Sequence, residues 1–187
     1  IGSTRGRLLQ EELKEVIEHG RKLGIEVLPS VELAGHMEHI LMLPEFSKYS
    51  EWHTPREGCL NLSDNEARQF AYELLEEVLE FFLSKYIHIG GDETWALGRG
   101  KSLDETWTFQ GPRLYEDHYR AMIEMVERHG KIPVVWGDMI TGMYLRPSER
   151  KIWENILKSD ILDRVFIANW DYSAQTKEFF LNKIESF

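Results

Sequence analysis

The chain has 187 residues, 42% of them hydrophobic and 29% charged, the proportions of a globular protein with enough apolar material for one sizeable core. A formal net charge of −10 disfavours nucleic acid and anionic membranes as partners, because both would repel it. The single cysteine, Cys59, excludes an internal disulfide; no stretch reaches the length of a membrane span, and "IGSTRGRLLQ" lacks the apolar segment of a signal peptide.

A cytoplasmic location is therefore the expectation, with the natural start left open because residue 1 is Ile rather than Met. Along the chain, "LLQEELKEVIEHGRKLG" places Leu9, Leu13, Val16 and Ile17 at helical spacing, with Gly24 as its stop. "IEVLPSVEL" follows as an apolar run of strand character, then a loop-rich stretch with Pro44, Pro55 and Gly58. Cys59, with no motif around it, reads as a small semi-buried residue rather than a nucleophile. "LSDNEARQFAYELLEEVLEFFLSKY" is a long amphipathic helix that Ser63 or Asp64 can cap. Strand and helix then alternate: "YIHIGGDE", a helix closed by Gly130, "IPVVWGDM", a helix in "PSERKIWENILKS", "RVFIANWDY", and a final helix in "AQTKEFFLNKIESF".

Apolar strands alternating with helices argue for βαβ units and a parallel sheet, with no linker dividing residues 1–187 into more than one domain. All four predicted strands carry polar or aromatic residues at their C-terminal ends: Glu32 and His36, Asp92 and Glu93, Trp136 and Asp138, Trp170 and Tyr172. In parallel α/β folds that edge binds ligands. Furnishing at four successive strand ends favours a (β/α) barrel of TIM type over a doubly wound sheet, and neither a P-loop nor a GxGxxG is present. A closed barrel needs about 250 residues, so the expectation is a partial or half barrel of about four βα units. Its open edges would favour self-association.

Asp92 and Glu93 are adjacent, and neighbouring side chains on a strand point to opposite faces. They cannot easily flank a glycosidic bond as two opposed carboxyls do, roughly 5–9.5 Å apart. One acid donating a proton while the other orients the same substrate suits the spacing better. Gly90 and Gly91 would let a ligand approach the backbone closely. A metal held by His88, Asp92 and Glu93 is the competing reading, weakened by the absence of HxH or HExxH spacing. Trp136 and Trp170, at equivalent strand ends and each followed by an acid, suggest a stacking box for a sugar ring; Trp52, Trp95, Trp107 and Trp153 read as packing or loop residues.

"HIGGDE" (88–93) resembles the signature of glycoside hydrolase family 20, the exo-acting β-N-acetylhexosaminidases. "VLPSVELAGH" (27–36) is similar to that family's third-strand segment, with Ser30, Glu32 and Ala34 where Glu, Asp and Pro are usual. "CLNLSDNEARQF", "VVWGDM", "NWDY" and "LGRGKS" fit its smaller, single-barrel branch. The resemblance covers the third to sixth barrel strands, the central segment of a (β/α)8 catalytic domain. It implies a retaining mechanism in which the substrate's own acetamido oxygen attacks the anomeric carbon, so that no second opposed carboxylate is required and no cofactor or metal is used. On that analogy Glu93 is the general acid and then the base, and Asp92 accepts a hydrogen bond from the acetamido N–H. Trp136 and Trp170 wall the acetamido pocket, and Tyr172 is the candidate for the tyrosine that the family places on the acetamido oxygen. His36 would support acid and sugar from the side, and His88 would serve structurally beneath. Asp138 and Glu32 are candidates either for sugar hydroxyls or for supporting the acids. As proton donor, Glu93 must hold its proton near neutral pH, which an anion at position 92 and apolar tryptophan walls would favour. The implied partner is an amino-sugar glycoside or oligosaccharide. The alternative is a non-catalytic half barrel that binds sugar or self-associates.

Overall fold

A computed structural model describes residues 8–141, 147–153, 156–172 and 174–185. Three parallel strands, β1 (Tyr86–His88), β2 (Ile132–Trp136) and β3 (Phe166–Ala168), form one sheet in the order β1-β2-β3. Tyr86, Ile87 and His88 face Ile132, Pro133 and Val134, and Val134, Val135 and Trp136 face Phe166, Ile167 and Ala168. Spatial order thus follows chain order, as around a barrel wall; a doubly wound sheet would reverse at a switch point.

The apolar run over 25–33 departs from expectation. It pairs with β1 only at Ser30 and His88, although the His88 N–H donates to the Pro29 carbonyl and the Val31 N–H to the His88 carbonyl, both at 3.0 Å, as in a parallel ladder. Pro29 has no N–H to extend the pairing, which confines such a segment to a sheet edge. Three strands and this single bridge stand where four strands were predicted.

The helices explain themselves by their stripes. In α3 (Asn65–Phe81) Ala67, Ala71, Leu75 and Leu79 are buried at a four-residue period, and the Asp64 side chain caps the start by accepting from the Glu66 N–H at 2.8 Å. In α5 (Gly111–Arg128) the buried face carries Tyr115, His118, Tyr119, Met122, Ile123 and Val126. These stripes close over Ile87 and Ile89 to make the core, which also takes in Leu33, Leu60 and Leu62. Helix α1 (Gln10–Lys22) forms where predicted, but only its Gly20 is buried, while Leu9 and Val16 lie exposed. The short helices α2 (Glu38–Leu41) in the loop-rich stretch, α4 (Lys101–Thr106) after the acid pair and α6 (Asp138–Thr141) after β2 carry no periodic apolar signal in the sequence. The helix expected over "PSERKIWENILKS" runs over Pro147–Trp153 and is followed by a 3₁₀ turn at Ile156–Lys158, residues 154 and 155 lying outside the described residues. The last helix spans Lys177–Ile184. Cys59 is fully buried rather than semi-buried, and burial pushes its thiol pKa well up. No helix among the described residues is long and apolar enough to cross a membrane.

Leu75 is fully buried at the centre of the α3 stripe. Leu75→Ala is expected to cost about 2–5 kcal/mol, the range for a buried leucine that leaves a cavity; urea unfolding followed by circular dichroism measures it.

Candidate active site

The chain leaves β1 through Ile89 into Gly90 and Gly91, whose φ angles of 71° and 112° turn the backbone out of the extended conformation. A methyl group at position 90 would collide with the Glu32 carboxylate, and one at 91 would lie 2.6 Å from the Tyr115 hydroxyl oxygen. From α5 the Tyr115 hydroxyl donates to the Gly91 carbonyl at 3.1 Å and that of Tyr119 to the Ile89 carbonyl at 3.4 Å. The glycine turn is therefore clamped from below and delivers Asp92 and Glu93 to the C-terminal rim of the sheet.

Glu93 has φ 47°, in the left-handed region that a non-glycine residue occupies at a cost of about 1–3 kcal/mol. Its N–H donates to Asp138 Oδ2 at 3.0 Å, so the residue just beyond β2 fixes the strained one beyond β1. His36 is likewise left-handed, with φ 52°, and its Nε2 lies 3.2 Å from Asp92 Oδ2 and 3.5 Å from Glu93 Oε2. The preceding Gly35 has no alternative: a Cβ there would stand 2.5 Å from the Asp92 carbonyl oxygen. The Leu60 N–H donates to the Ala34 carbonyl at 2.8 Å and the Met37 N–H to the Gly58 carbonyl at 2.9 Å, which pin the His36 loop on both sides.

His36, Asp92, Glu93, Trp136, Trp170 and Tyr172 line one cleft of about 420 Å³. Trp136 leans on His88 with ring centroids 4.4 Å apart, and Trp170 and Tyr172 lie 5.5 Å apart, Tyr172 standing exposed at the rim. Glu32 and Asp138 are beneath this lining rather than in it. Asp138 is 1% exposed, and burial above all raises its carboxyl to about 6, opposed by the Glu93 N–H and by hydrogen bonding from Trp170. Glu32 is raised to about 7, first by burial and then by the charge of Asp92, with His36 and a Trp136 hydrogen bond pulling the other way. Burial lowers His88, whose Nδ1 accepts the Gly90 N–H at 3.1 Å. Among the described residues no group of three His, Cys, Asp or Glu side chains is arranged to hold a metal ion.

Sequence matching assigns residues 2–174 to "Glycosyl hydrolase family 20, catalytic domain". The chain belongs to this family. Human hexosaminidase D is 29% identical over an alignment of 171 residues that covers 87% of this chain and 33% of that protein. A β-hexosaminidase of Vibrio furnissii is 34% identical over 96 residues, 47% of this chain and 16% of its own. Among solved structures, the β-N-acetylhexosaminidase of Bacteroides fragilis superposes with a TM-score of 0.60 at 22% identity over 87% of this chain and 35% of its own. A pneumococcal exo-β-D-N-acetylglucosaminidase module gives 0.66 at 20% identity over 94% and 42%. The chain thus spans about a third of the length of human hexosaminidase D, and the family fold it shares is a segment of a TIM barrel.

Some residues that shape the site gave no sequence signal. Tyr115 and Tyr119 stand four residues apart on one helix, and nothing in that spacing announces the carbonyls their hydroxyls reach. Glu51 is another: its Oε1 accepts the Gly100 N–H at 2.9 Å and the Ser102 hydroxyl at 2.5 Å, strapping down the loop that follows the acid pair. Of the remaining tryptophans, Trp153 packs edge-on against Tyr115 in the core, and Trp52, Trp95 and Trp107 are exposed.

The clamp under Gly91 is open to test. Gly91→Ala is expected to lower stability by at least about 1 kcal/mol through backbone strain and the clash with Tyr115, read as a fall in Tm. A Tm equal to that of the wild type would show that the turn relaxes.

Proposed function

We propose that the protein removes terminal β-linked N-acetylglucosamine or N-acetylgalactosamine from glycosides with retention of configuration, the substrate's acetamido group acting as nucleophile. One observation carries this reading. Both carboxylates of the cleft reach the same imidazole nitrogen, His36 Nε2, at 3.2 and 3.5 Å, which favours their acting from one side of a sugar in the cleft. Opposed acids of the ordinary glycosidase kind need about 5–9.5 Å between carboxyls on the two sides of the ring. A same-side pair supplies a proton donor and an orienting acceptor, and the attacking group must then come from elsewhere.

In this mechanism Glu93, the more exposed acid, gives its proton to the glycosidic oxygen as the acetamido oxygen closes on the anomeric carbon. Asp92 accepts the acetamido N–H and stabilises the positive charge of the oxazolinium intermediate. Glu93 then takes a proton from the water that attacks the anomeric carbon and reopens the ring. Trp136 and Trp170 form the apolar walls of the acetamido pocket, and Tyr172 reaches its oxygen from the rim. The names of the relatives, hexosaminidases in each case, support the same substrate class.

A second reading has its own observation. Leu28, beside the 29–31 edge, and Phe166, on the outermost strand, are each exposed, which favours pairing of these edges with a further chain or segment, as a self-associating half barrel that binds sugar would use.

With an aryl β-N-acetylglucosaminide, Glu93→Gln is expected to lose turnover by about a hundredfold or more when the leaving group is poor, while binding persists. Asp92→Asn is expected to lose turnover on N-acetylated substrates. Near-normal turnover of Glu93→Gln, or equal wild-type rates on N-acetyl and plain glucosides, would overturn the mechanism. Binding without chromophore release, with a dimer in sedimentation, would favour the second reading.

A further inference from the structure

Beneath the cleft the carboxyl groups of Glu32 and Asp92 interact directly. Glu32 Oε2 and Asp92 Oδ1 are both buried, and neither finds a hydrogen-bond partner among the described residues. The other oxygen of Asp92, Oδ2, faces His36 Nε2 at 3.2 Å. The Glu32 carboxyl is tucked against Gly90, whose missing side chain makes the room it occupies. Both orphaned oxygens are satisfied at once if one of the two acids carries a proton, since a protonated carboxyl gains the single O–H donor that an ionised one lacks. Two like charges on these interacting carboxyls would otherwise repel, and the Asp92 charge does push the Glu32 carboxyl up.

We propose that Glu32 is a positioning residue, whose neutral carboxyl donates a hydrogen bond to Asp92 Oδ1 from below while His36 holds Oδ2 from the side. This rests on the substrate-assisted reading above. A carboxylate has about four lone-pair sites, so Asp92 keeps one to offer the acetamido N–H, now in a fixed direction. The acid pair visible in the sequence is thus a triplet in space, with the third member acting only through the second. The location of the proton follows from the surroundings. Burial and the Asp92 charge both favour a neutral Glu32, which titrates near 7, whereas His36 and the Trp136 hydrogen bond oppose them. Glu93, Asp138, the neutral His88 and the hydroxyls of Tyr115 and Tyr119 complete the titratable surroundings, and none is a cation that would draw the proton off Glu32.

The sign of the pH effect follows. The protonated Glu32 is the productive form, so kcat/KM should be full at pH 6 and fall as pH rises through about 7. The test compares wild type, Glu32→Gln and Glu32→Ala, each with and without Asp92→Ala, on an aryl β-N-acetylglucosaminide from pH 5 to 9. The Gln amide can still donate to Asp92 but cannot titrate, so its profile should lose the limb near 7 and its activity at pH 6 should exceed that of Glu32→Ala. Glu32→Ala should lose about tenfold at pH 6, the scale of one hydrogen bond to a charged group. In the Asp92→Ala background it should lose less than about twofold, because the two act as one unit. A Glu32→Gln profile that superposes on the wild type, or a full additional loss in the Asp92→Ala background, overturns the proposal.

A second readout does not need turnover. A carboxyl raised on folding from about 4.5 to about 7 stabilises the fold below its unfolded value and loses that contribution as pH climbs through 7. The wild-type Tm should fall between pH 5 and 8, and the fall should shrink in Glu32→Gln; equal falls overturn the pairing. If the wild type releases no chromophore, the hydrolase reading fails while this comparison still decides the carboxyl pair.

Discussion

The hydrogen bond from the Glu93 N–H to Asp138 Oδ2, 3.0 Å long, is the tie on which the cleft depends. It joins the end of β1 to the residue just past β2 and holds the backbone at Glu93 in a left-handed conformation that residue would not choose. Because Asp138 is sealed from solvent, the tie is not in competition with water. Without it the Glu93 backbone could relax, its carboxylate would leave the neighbourhood of His36 Nε2, and the two acids would no longer share one side of the cleft. Strain at an acidic residue, maintained by a buried acceptor on the next strand, is the pattern of a site in which position matters more than local stability.

The same economy governs the layers around it. His36 is also left-handed, is backed by a glycine that touches the Asp92 backbone, and is pinned by two hydrogen bonds from the 58–60 segment. Two tyrosines of α5 hold the glycine turn from inside the core. The His36 loop, the glycine turn and the Glu93 backbone are thus each held by a buried group, and the aromatic stripe of α5 serves packing and positioning together. This is why a mutation in the core beneath Gly91 would be felt at the rim.

Much of this was legible in the sequence, for a physical reason. In a parallel sheet the strand C-termini all lie on one edge, so polar and aromatic residues at the ends of successive apolar runs must converge, and His36, Asp92, Glu93, Trp136, Trp170 and Tyr172 do line one cleft. Depth was not legible. Asp138 and Glu32 sit at comparable strand-end positions, yet lie under the lining, because the backbone reversal at Gly90 and Gly91 lifts the acid pair above them. Apolar character alone misjudged the 25–33 run: Pro29, visible in the sequence, has no N–H to extend the pairing and limits it to a single bridge. Helix α1 shows the converse: its spacing gave the helix correctly, while the exposure of Leu9 and Val16 depends on what packs beside it, which no local pattern encodes.

Cys59 is the chain's one thiol, inert as it stands because it is enclosed and hard to ionise. Its neighbours Gly58 and Leu60 are the residues whose backbone groups hold the His36 loop, and its own carbonyl accepts the Glu51 N–H at 2.9 Å. A movement of the 58–60 segment away from the loop carries this sulfur with it. The speed with which a small alkylating reagent consumes the thiol therefore reports how often the segment behind the imidazole opens.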